Sequence, residues 1–257
     1  MSRRLNLRQD NTGFSNGDPV TAETFAYSWK RLLLPETAGA YASILFDIKG
    51  AEDVNLNGAD PDTLGVTAVD DWTLEVEMVG PRGLFPIIVG YAATVPTHPP
   101  SAEKGGNFTD PAEAGGPVIS NGPFQLIEWE HNQYCTVIKN PNYWEEELPL
   151  LDSVVVSVVP DDNARILQLQ GGELDAMMDV PSSRVPELQM DPNLKVYQFP
   201  STQTDYITIN TRNAPLNDVH ARRALQYATD RQTLIDVVLF GVGIPATSFM
   251  PKGALYW

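Results

Sequence analysis

Cysteine and histidine are both scarce in this sequence, and their scarcity excludes several kinds of protein. The single cysteine, Cys135, rules out an intramolecular disulfide and a cysteine-rich metal site. His98, His131 and His220 have no spacing typical of metal ligands, and no Gly-x-Ser-x-Gly motif occurs. We therefore predict no metal and no cofactor, nominate no catalytic residue, and expect Cys135 to be a buried, unreactive thiol. A carboxylate pair of the glycosidase type stays open, because acidic residues are plentiful.

Basic residues are also few, with 17 lysines and arginines against 33 aspartates and glutamates, which gives a net charge of −16. Nucleic acids and anionic lipid surfaces bind basic proteins, so neither is an expected partner. An acidic, self-repelling surface is typical of a soluble protein. With 257 residues, 42% of them hydrophobic, the chain can bury a sizeable core in one or two domains.

Long apolar runs are missing as well. No segment approaches the roughly 20 apolar residues that a membrane-spanning helix needs. Arg3 and Arg4 near the N-terminus have no apolar core behind them, so this segment is not a signal peptide. The chain ends at residues 254–257, soon after two predicted helices whose apolar faces have too little sequence left to cover them. We therefore expect the chain to be a truncated piece of a longer protein.

The first predicted segment contains one strongly amphipathic helix and one strand. Thr21 is the predicted N-cap of a helix over residues 22–33, in which Phe25 and Trp29 recur at helical spacing. Residues 73–79 alternate apolar and acidic side chains, which predicts a half-buried strand. We expect Trp29 and Phe25 to anchor this segment by facing that strand.

The middle segment alternates strands and helices, which predicts an α/β domain with a mixed sheet. The nearly continuous valine run at 154–159 is typical of a central strand covered on both faces. A helix is expected after Asp161 or Asp162, with Ala164, Ile166 and Leu167 facing inward, and a short one at 185–190. The predicted strands are 124–130, 134–139, 154–159, 174–178 and 194–199.

The last segment is predicted to open with an alternating strand at 206–210 and to continue with two capped helices. Asp218 caps the first helix, which reaches residue 228, and Asp230 caps the second, at 231–240. If the chain is a truncated piece, the second helix should leave apolar side chains exposed. These side chains are Leu234, Val237, Val238 and Phe240.

Two motifs resemble known binding loops but lack essential parts. Residues 53–58 match the first half of an EF-hand loop, but the glutamate expected at its twelfth position is Leu64, so a solvated turn is the better interpretation. Residues 241–246 resemble a dinucleotide fingerprint, but they follow a helix instead of a strand and contain Pro245.

A series of short motifs extends in order along almost the whole chain. They are Ser15-Asn16-Gly17-Asp18-Pro19, Ser120-Asn121-Gly122-Pro123-Phe124, Lys139-Asn140-Pro141-Asn142-Tyr143-Trp144, Gly172-Glu173-Leu174-Asp175, Pro215-Leu216-Asn217-Asp218 and Ala228-Thr229-Asp230-Arg231. Each is weak alone. Together they are similar to the family 5 extracellular solute-binding proteins of ABC transporters, the peptide-, dipeptide- and nickel-binding family.

The resemblance implies an α/β, periplasmic-binding-protein-like fold (type II, cluster C) with two lobes that close on a ligand. Family members are about twice as long as this chain, so it would hold an incomplete part. On this basis, residues 1–117 are an accessory subdomain, 118–205 the mixed sheet of the first lobe, and 206–257 the crossover and start of the second lobe. The full-length protein would be a monomer, periplasmic or anchored by lipid outside the cell.

The resemblance also implies a function, in which an oligopeptide is captured between the lobes and delivered to a membrane permease. Residues 37–43 look especially like the oligopeptide-binding branch, in which the tyrosine matching Tyr41 lies against the peptide. The ligand-binding residues implied in the same way are Tyr41, Met178, Asp179, Gln203, Thr204, Asp205, Tyr206 and Thr208. The alternatives are a hydrolytic enzyme on an α/β scaffold, or the same fold with nickel, haem or an oligosaccharide as cargo.

Overall fold

A computed structural model describes residues 2–9, 12–104, 107–199 and 201–251. The chain divides into two compact units, Met1–Val158 and Val159–Trp257. Among the described residues, no helix is long and apolar enough to cross a membrane. The predicted chain end at 254–257 lies outside the described residues, and the division into three segments at 117 and 205 stays a prediction.

The described residues of the first unit form two separate three-stranded antiparallel sheets. Its strands are β1 (Ser2–Asn6), β2 (Val66–Asp70), β3 (Thr73–Glu77), β4 (Phe124–Glu130), β5 (Tyr134–Lys139) and β6 (Ser153–Ser157). Its helices are α1 (Ala22–Leu33), α2 (Ala51–Asn57), α3 (Phe85–Ile88), α4 (Pro99–Glu103) and α5 (Pro111–Ala114). The strand orders are β1-β3-β2 and β4-β5-β6.

Helix α1 has the predicted bounds, and two hydrogen bonds between its N-cap residue and its first turn fix where it begins. The Thr24 N–H donates to Thr21 Oγ1 over 3.4 Å, and the Thr21 N–H donates to Thr24 Oγ1 over 3.1 Å. This reciprocal pair is a capping box, which satisfies N–H groups that the helix cannot pair internally. Its last turn carries Lys30 and Arg31, whose charges complement the helix dipole.

Trp29 of α1 lies at the centre of the first unit's core and is 1% exposed. Its indole Nε1–H donates to the Thr94 carbonyl over 3.0 Å, and its ring meets the edge of Phe85. Leu74 and Val76 of β3 belong to the same buried cluster, and Phe25 packs against it. The predicted contact of α1 with this strand is therefore confirmed.

The β4–β5 hairpin has the predicted bounds, but the prediction for the valine run was wrong. Strand β6 pairs with β5 and lies at the edge of its sheet, and Val155 and Val156 are more than half exposed. A strand with apolar side chains on both faces can be buried on both faces. Its burial still requires other elements of the fold to pack against each face. Cys135 on β5 is half-buried, so the expectation of a buried thiol was also wrong.

The second unit contains helices α6 (Asp162–Gly171), α7 (Val185–Met190), α8 (Val219–Ala228) and α9 (Arg231–Thr233). Asp161 caps α6 by accepting the Ala164 N–H over 2.7 Å. Ile166 is buried as expected, whereas Leu167 is exposed, which corrects its predicted inward orientation. The predicted strands at 174–178, 194–199 and 206–210 are absent from the described residues, because a strand exists only where another strand pairs with it.

The predicted helix at 231–240 is shorter and less regular than expected. After α9 the chain forms a π turn, Leu234–Val238, in which the Leu239 N–H donates to the Leu234 carbonyl five residues back. The prediction of exposed apolar side chains is confirmed, although Ile235 beside them is buried. The exposed ones are Leu234, Val237, Val238 and Phe240.

The motif at 53–58 forms neither an ion-binding loop nor the solvated turn that we predicted. It lies in helix α2, which Gly58 ends in a left-handed conformation at φ 66°. Asn57 Nδ2 donates to Asp53 Oδ1 over 2.9 Å, and Asn55 Nδ2 donates to the Leu33 carbonyl. These asparagine side chains therefore form hydrogen bonds within α2 and to its neighbour α1.

Candidate functional site

Tyr41 belongs to the first unit and stands immediately before a short 3-10 helix, Ala42–Leu45. The loop that carries it approaches α1 closely at Gly39. A Cβ added there would lie 2.7 Å from Leu32 Cδ1 and 2.8 Å from the Leu32 carbonyl oxygen, so only glycine fits without displacement. Ala42 and Leu45 are buried, whereas Tyr41 is 52% exposed. The core therefore fixes the backbone around Tyr41 and leaves the ring outside.

The Tyr41 ring contacts a residue that the sequence-based prediction missed. Tyr91 meets it edge-to-face, with centroids 5.3 Å apart and an interplanar angle of 65°, and is itself 46% exposed. A hydrogen bond with the Tyr41 hydroxyl raises the pKa of the Tyr91 phenol above its usual value, and the charge of Tyr41 adds to this. The one available signal was composition: Tyr91 lies in the stretch 84–97, which contains no charged residue.

Met178 and Asp179 belong to the second unit and lie in an irregular segment after α6. Met178 is almost fully exposed, and Asp179 adopts a left-handed backbone conformation at φ 55°. The Arg165 guanidinium holds this segment by donating to the Asp179 carbonyl over 3.4 Å and to Asp162 Oδ1 over 2.5 Å. A side chain of α6 therefore positions this pair, a role that no motif predicted.

Residues 203–208 lie in an irregular segment that is largely exposed. Gln203 Nε2 donates to Asp205 Oδ1 over 3.0 Å, so the structure brings these two predicted site residues together. The Tyr206 ring meets the edge of Phe249, with centroids 5.1 Å apart, and Thr204 is half-buried. Tyr206 and Thr208 are exposed.

The main chain of this segment is as important as its side chains. Within the described residues, no backbone N–H or C=O of 202–209 pairs with another backbone group. Unpaired N–H and C=O groups satisfy their hydrogen bonds with water or with a ligand. A peptide supplies both donors and acceptors along its length, so this segment is chemically suited to bind one.

A cavity of about 400 Å³ and another of about 430 Å³ open on the described part of the first unit, and no predicted site residue is among their described lining residues. The smaller is mainly apolar. Among the described residues of its lining, Arg8 alone is charged, and its guanidinium lies 4.4 Å from the Trp144 ring centre. The larger one, at the end of α1, has Lys30, Arg31 and Glu36 in its lining.

Ionisable groups do not gather into a metal site within the described residues, where no group of three or more histidine, cysteine, aspartate or glutamate side chains could hold an ion. Two histidine–aspartate pairs join separate parts of the first unit. His98 Nε2 bonds Asp18 Oδ2 over 2.8 Å, and His131 Nε2 bonds Asp110 Oδ2 over 2.8 Å. In each pair the histidine is the main cause that lowers the pKa of the aspartate.

Comparison with known proteins shows that almost the whole chain matches one protein family. Residues 4–257 match the model of "Bacterial extracellular solute-binding proteins, family 5 Middle". The oligopeptide-binding protein OppA of Bacillus subtilis is 34% identical over 95% of this chain and 45% of its own length. The periplasmic oligopeptide-binding protein OppA of Salmonella typhimurium is 32% identical over 95% of this chain and 45% of its own length.

Solved structures agree with the sequence comparison. The murein tripeptide binding protein MppA of Escherichia coli has a TM-score of 0.84 and 31% identity, covering 98% of this chain and 49% of that one. Haemophilus influenzae OppA, solved in complex with the peptide RPPGFSPFR, has a TM-score of 0.82 and 27% identity over 98% of this chain and 49% of its own. The chain thus spans about half the length of the proteins that it matches.

Proposed function

Because this chain belongs to the family 5 bacterial extracellular solute-binding proteins, we propose that it is part of the substrate-binding component of an ABC importer, which captures oligopeptides and delivers them to a membrane permease. The observation that carries the proposal is the similarity to oligopeptide-binding relatives over 95% of this chain. The fold is that of the two-lobe periplasmic binding proteins, in mixed α/β form.

We place the ligand at the residues that the family resemblance nominated, which are Tyr41, Met178, Asp179, Gln203, Thr204, Asp205, Tyr206 and Thr208. Two observations support this placement. Among the described residues, the backbone groups of 202–209 pair with no other backbone group, although the Gln203 N–H donates to Ser201 Oγ, and main-chain hydrogen bonds bind a peptide whatever its side chains. Tyr41 adds an exposed aromatic surface, which accepts varied apolar groups.

In this proposal the protein binds its ligand and does not transform it. The support for this is the family match, because the family and the relatives that the chain matches are named as solute- or oligopeptide-binding proteins. Segments 1–117, 118–205 and 206–257 would correspond to the accessory subdomain, the first lobe and the start of the second. Lobe closure would bury the peptide and signal occupancy to the permease.

Family members are periplasmic or extracellular, and we propose the same location, with a lipid anchor or free, for the protein that contains this chain. We further propose that it is a monomer. The acidic surface, with a net charge of −16, favours a soluble and self-repelling molecule.

Saturation-transfer NMR of the 257-residue chain with a mixture of tripeptides to nonapeptides tests the function. Binding should be weak, because the chain spans about half the length of its relatives and lobe closure cannot contribute fully. Transfer to peptides but not to maltooligosaccharides, haem or nickel is the expected result. Transfer to a non-peptide cargo alone, or to nothing, would contradict the proposal.

Tyr206→Ala, with Tyr227→Ala as its matched control, tests the placement. Both tyrosines are exposed, but Tyr227 lies on α8 outside the proposed set. Removal of a stacking ring should weaken peptide binding about two- to tenfold at Tyr206 and leave it unchanged at Tyr227. Equal effects of the two substitutions would refute the placement at 203–208.

A further inference from the structure

Tyr41 and Tyr91 form an aromatic corner on the first unit, because their rings meet edge-to-face while both stay about half exposed. An exposed aromatic ring ordinarily turns freely in water. Here each ring limits the movement of the other, so both present fixed surfaces. Tyrosine also loses little conformational entropy on binding, since only two torsions order its ring.

The backbone at Tyr91 is tied to the core of the first unit. Its N–H donates to the Ile88 carbonyl over 3.0 Å, and its own carbonyl accepts the Thr94 N–H over 2.9 Å and the Thr94 hydroxyl over 2.8 Å. The Thr94 carbonyl in turn accepts the Nε1–H of the buried Trp29. An exposed residue tied to the core by a series of hydrogen bonds is pre-organised for binding.

The corner is formed by two stretches without charged residues, in a protein whose net charge is −16. Charged residues make up 19% of the chain, yet the stretches 38–46 and 84–97, which carry the two tyrosines, contain none. A charged ligand group placed here would lose its hydration without finding an opposite charge on either stretch. An uncharged apolar or aromatic group has no charge hydration to lose, and it would gain contact with the two tyrosine rings.

We infer that Tyr91 is a second ligand-binding residue, which together with Tyr41 forms a subsite for an uncharged apolar or aromatic side chain of the bound peptide. The inference rests on the proposed function and specifies which peptides this part of the protein prefers. The two hydroxyls interact with each other, and their remaining hydrogen-bonding capacity can serve the peptide main chain while the ring faces contact its side chain.

The test compares alanine tripeptides in which one residue is replaced in turn by Phe, Leu or Glu. Affinities are measured by competition in saturation-transfer NMR on the 257-residue chain. The unmodified protein should prefer the best Phe peptide over trialanine about two- to tenfold, and it should disfavour Glu at the same position. Tyr91→Ala should abolish this preference, whereas Tyr91→Phe should retain most of it.

Tyr197→Ala is the matched control, because Tyr197 is also an exposed tyrosine in contact with an aromatic neighbour, Phe199. It should leave the preference unchanged. Circular dichroism melts establish that each variant is folded. A spectrophotometric titration of the phenol groups measures the pKa of Tyr91. Because the Tyr41 hydroxyl raises the pKa of Tyr91, the Tyr41→Phe variant should lower it.

The outcomes separate this inference from the function on which it rests. If the unmodified chain binds peptides and Tyr91→Ala keeps the Phe preference, the inference is overturned and the proposed function stands. If the unmodified chain binds no peptide, both are overturned. Loss of the preference in Tyr91→Ala and in Tyr41→Ala, with no further loss in the double variant, supports a single subsite made by both rings.

Discussion

Trp29→Ala should be among the most damaging single substitutions in the first unit. The ring is buried against Phe85 and the apolar side chains of β3, and Phe25 meets its edge with centroids 6.4 Å apart. Truncation of a buried tryptophan to alanine typically costs about 3–5 kcal/mol in the free energy of unfolding, because apolar contact is lost and a cavity remains. We expect the upper part of this range, since the Thr94 carbonyl also loses its indole donor.

Urea denaturation followed by circular dichroism measures this loss directly. In a thermal melt, about 3–5 kcal/mol corresponds to a decrease in Tm of about 6–20 °C for a domain of this size. Trp29→Phe should fall between the unmodified chain and Trp29→Ala, because it keeps an aromatic ring but loses the Nε1–H donor to the buried Thr94 carbonyl.

Trp129→Ala is the appropriate control for the same chemical change at an unburied position. Trp129 lies on β4, is 39% exposed, and packs on His131 with ring centroids 4.2 Å apart. Its loss should cost about 1 kcal/mol or less, as expected for a partly exposed side chain. If Trp29→Ala destabilises the protein no more than Trp129→Ala does, then Trp29 is not the centre of this core.

Two further predictions concern the loop before Tyr41 and the acid sensitivity of the first unit. Gly39→Ala should destabilise the chain by about 1–3 kcal/mol in urea denaturation, because its Cβ would clash with Leu32, whereas Gly80→Ala, with open space around it, should be tolerated. Asp110 has a pKa below its usual value, mainly through His131, so its contribution to stability is complete above about pH 4 and is lost as the pH falls through the lowered pKa. Asp110→Asn keeps a good helix cap and should therefore show a smaller fall in Tm on acidification than the unmodified chain; an unchanged slope would contradict this role.

Signals confined to a few neighbouring residues predicted local structure well. Thr21, Asp161 and Asp218 each begin the helix that their side chain caps, because the hydrogen bonds involved join residues two or three positions apart. The β4–β5 hairpin is equally local, since its strands meet across a three-residue turn. Alternation in the stretch 73–79 found β3 because α1 supplies a core on one of its faces.

Predictions that depended on distant partners were less successful. The valine run of β6 lies at a sheet edge, and the alternating residues 206–210 form no strand within the described residues. In both cases the side-chain pattern was present, but β6 has a paired strand on one side only, and no strand of the described residues pairs with 206–210. The contact of Tyr91 with Tyr41 was unpredictable for the same reason, since 50 positions separate two residues that meet only through the fold.

Two of these three failures, the segment 206–210 and the contact of Tyr91 with Tyr41, involve residues to which we assign binding. A segment whose backbone groups pair within the chain leaves no main-chain donor or acceptor for a ligand. The segment 202–209 has no internal backbone partners among the described residues, and the rings of Tyr41 and Tyr91 expose surface that a core would cover. A binding site is a surface whose contacts come from another molecule, and a sequence pattern that lacks its expected partner is consistent with that role. The same argument applies to the exposed valines of β6, but they offer no polar main-chain segment and no fixed aromatic pair, so we assign them no ligand.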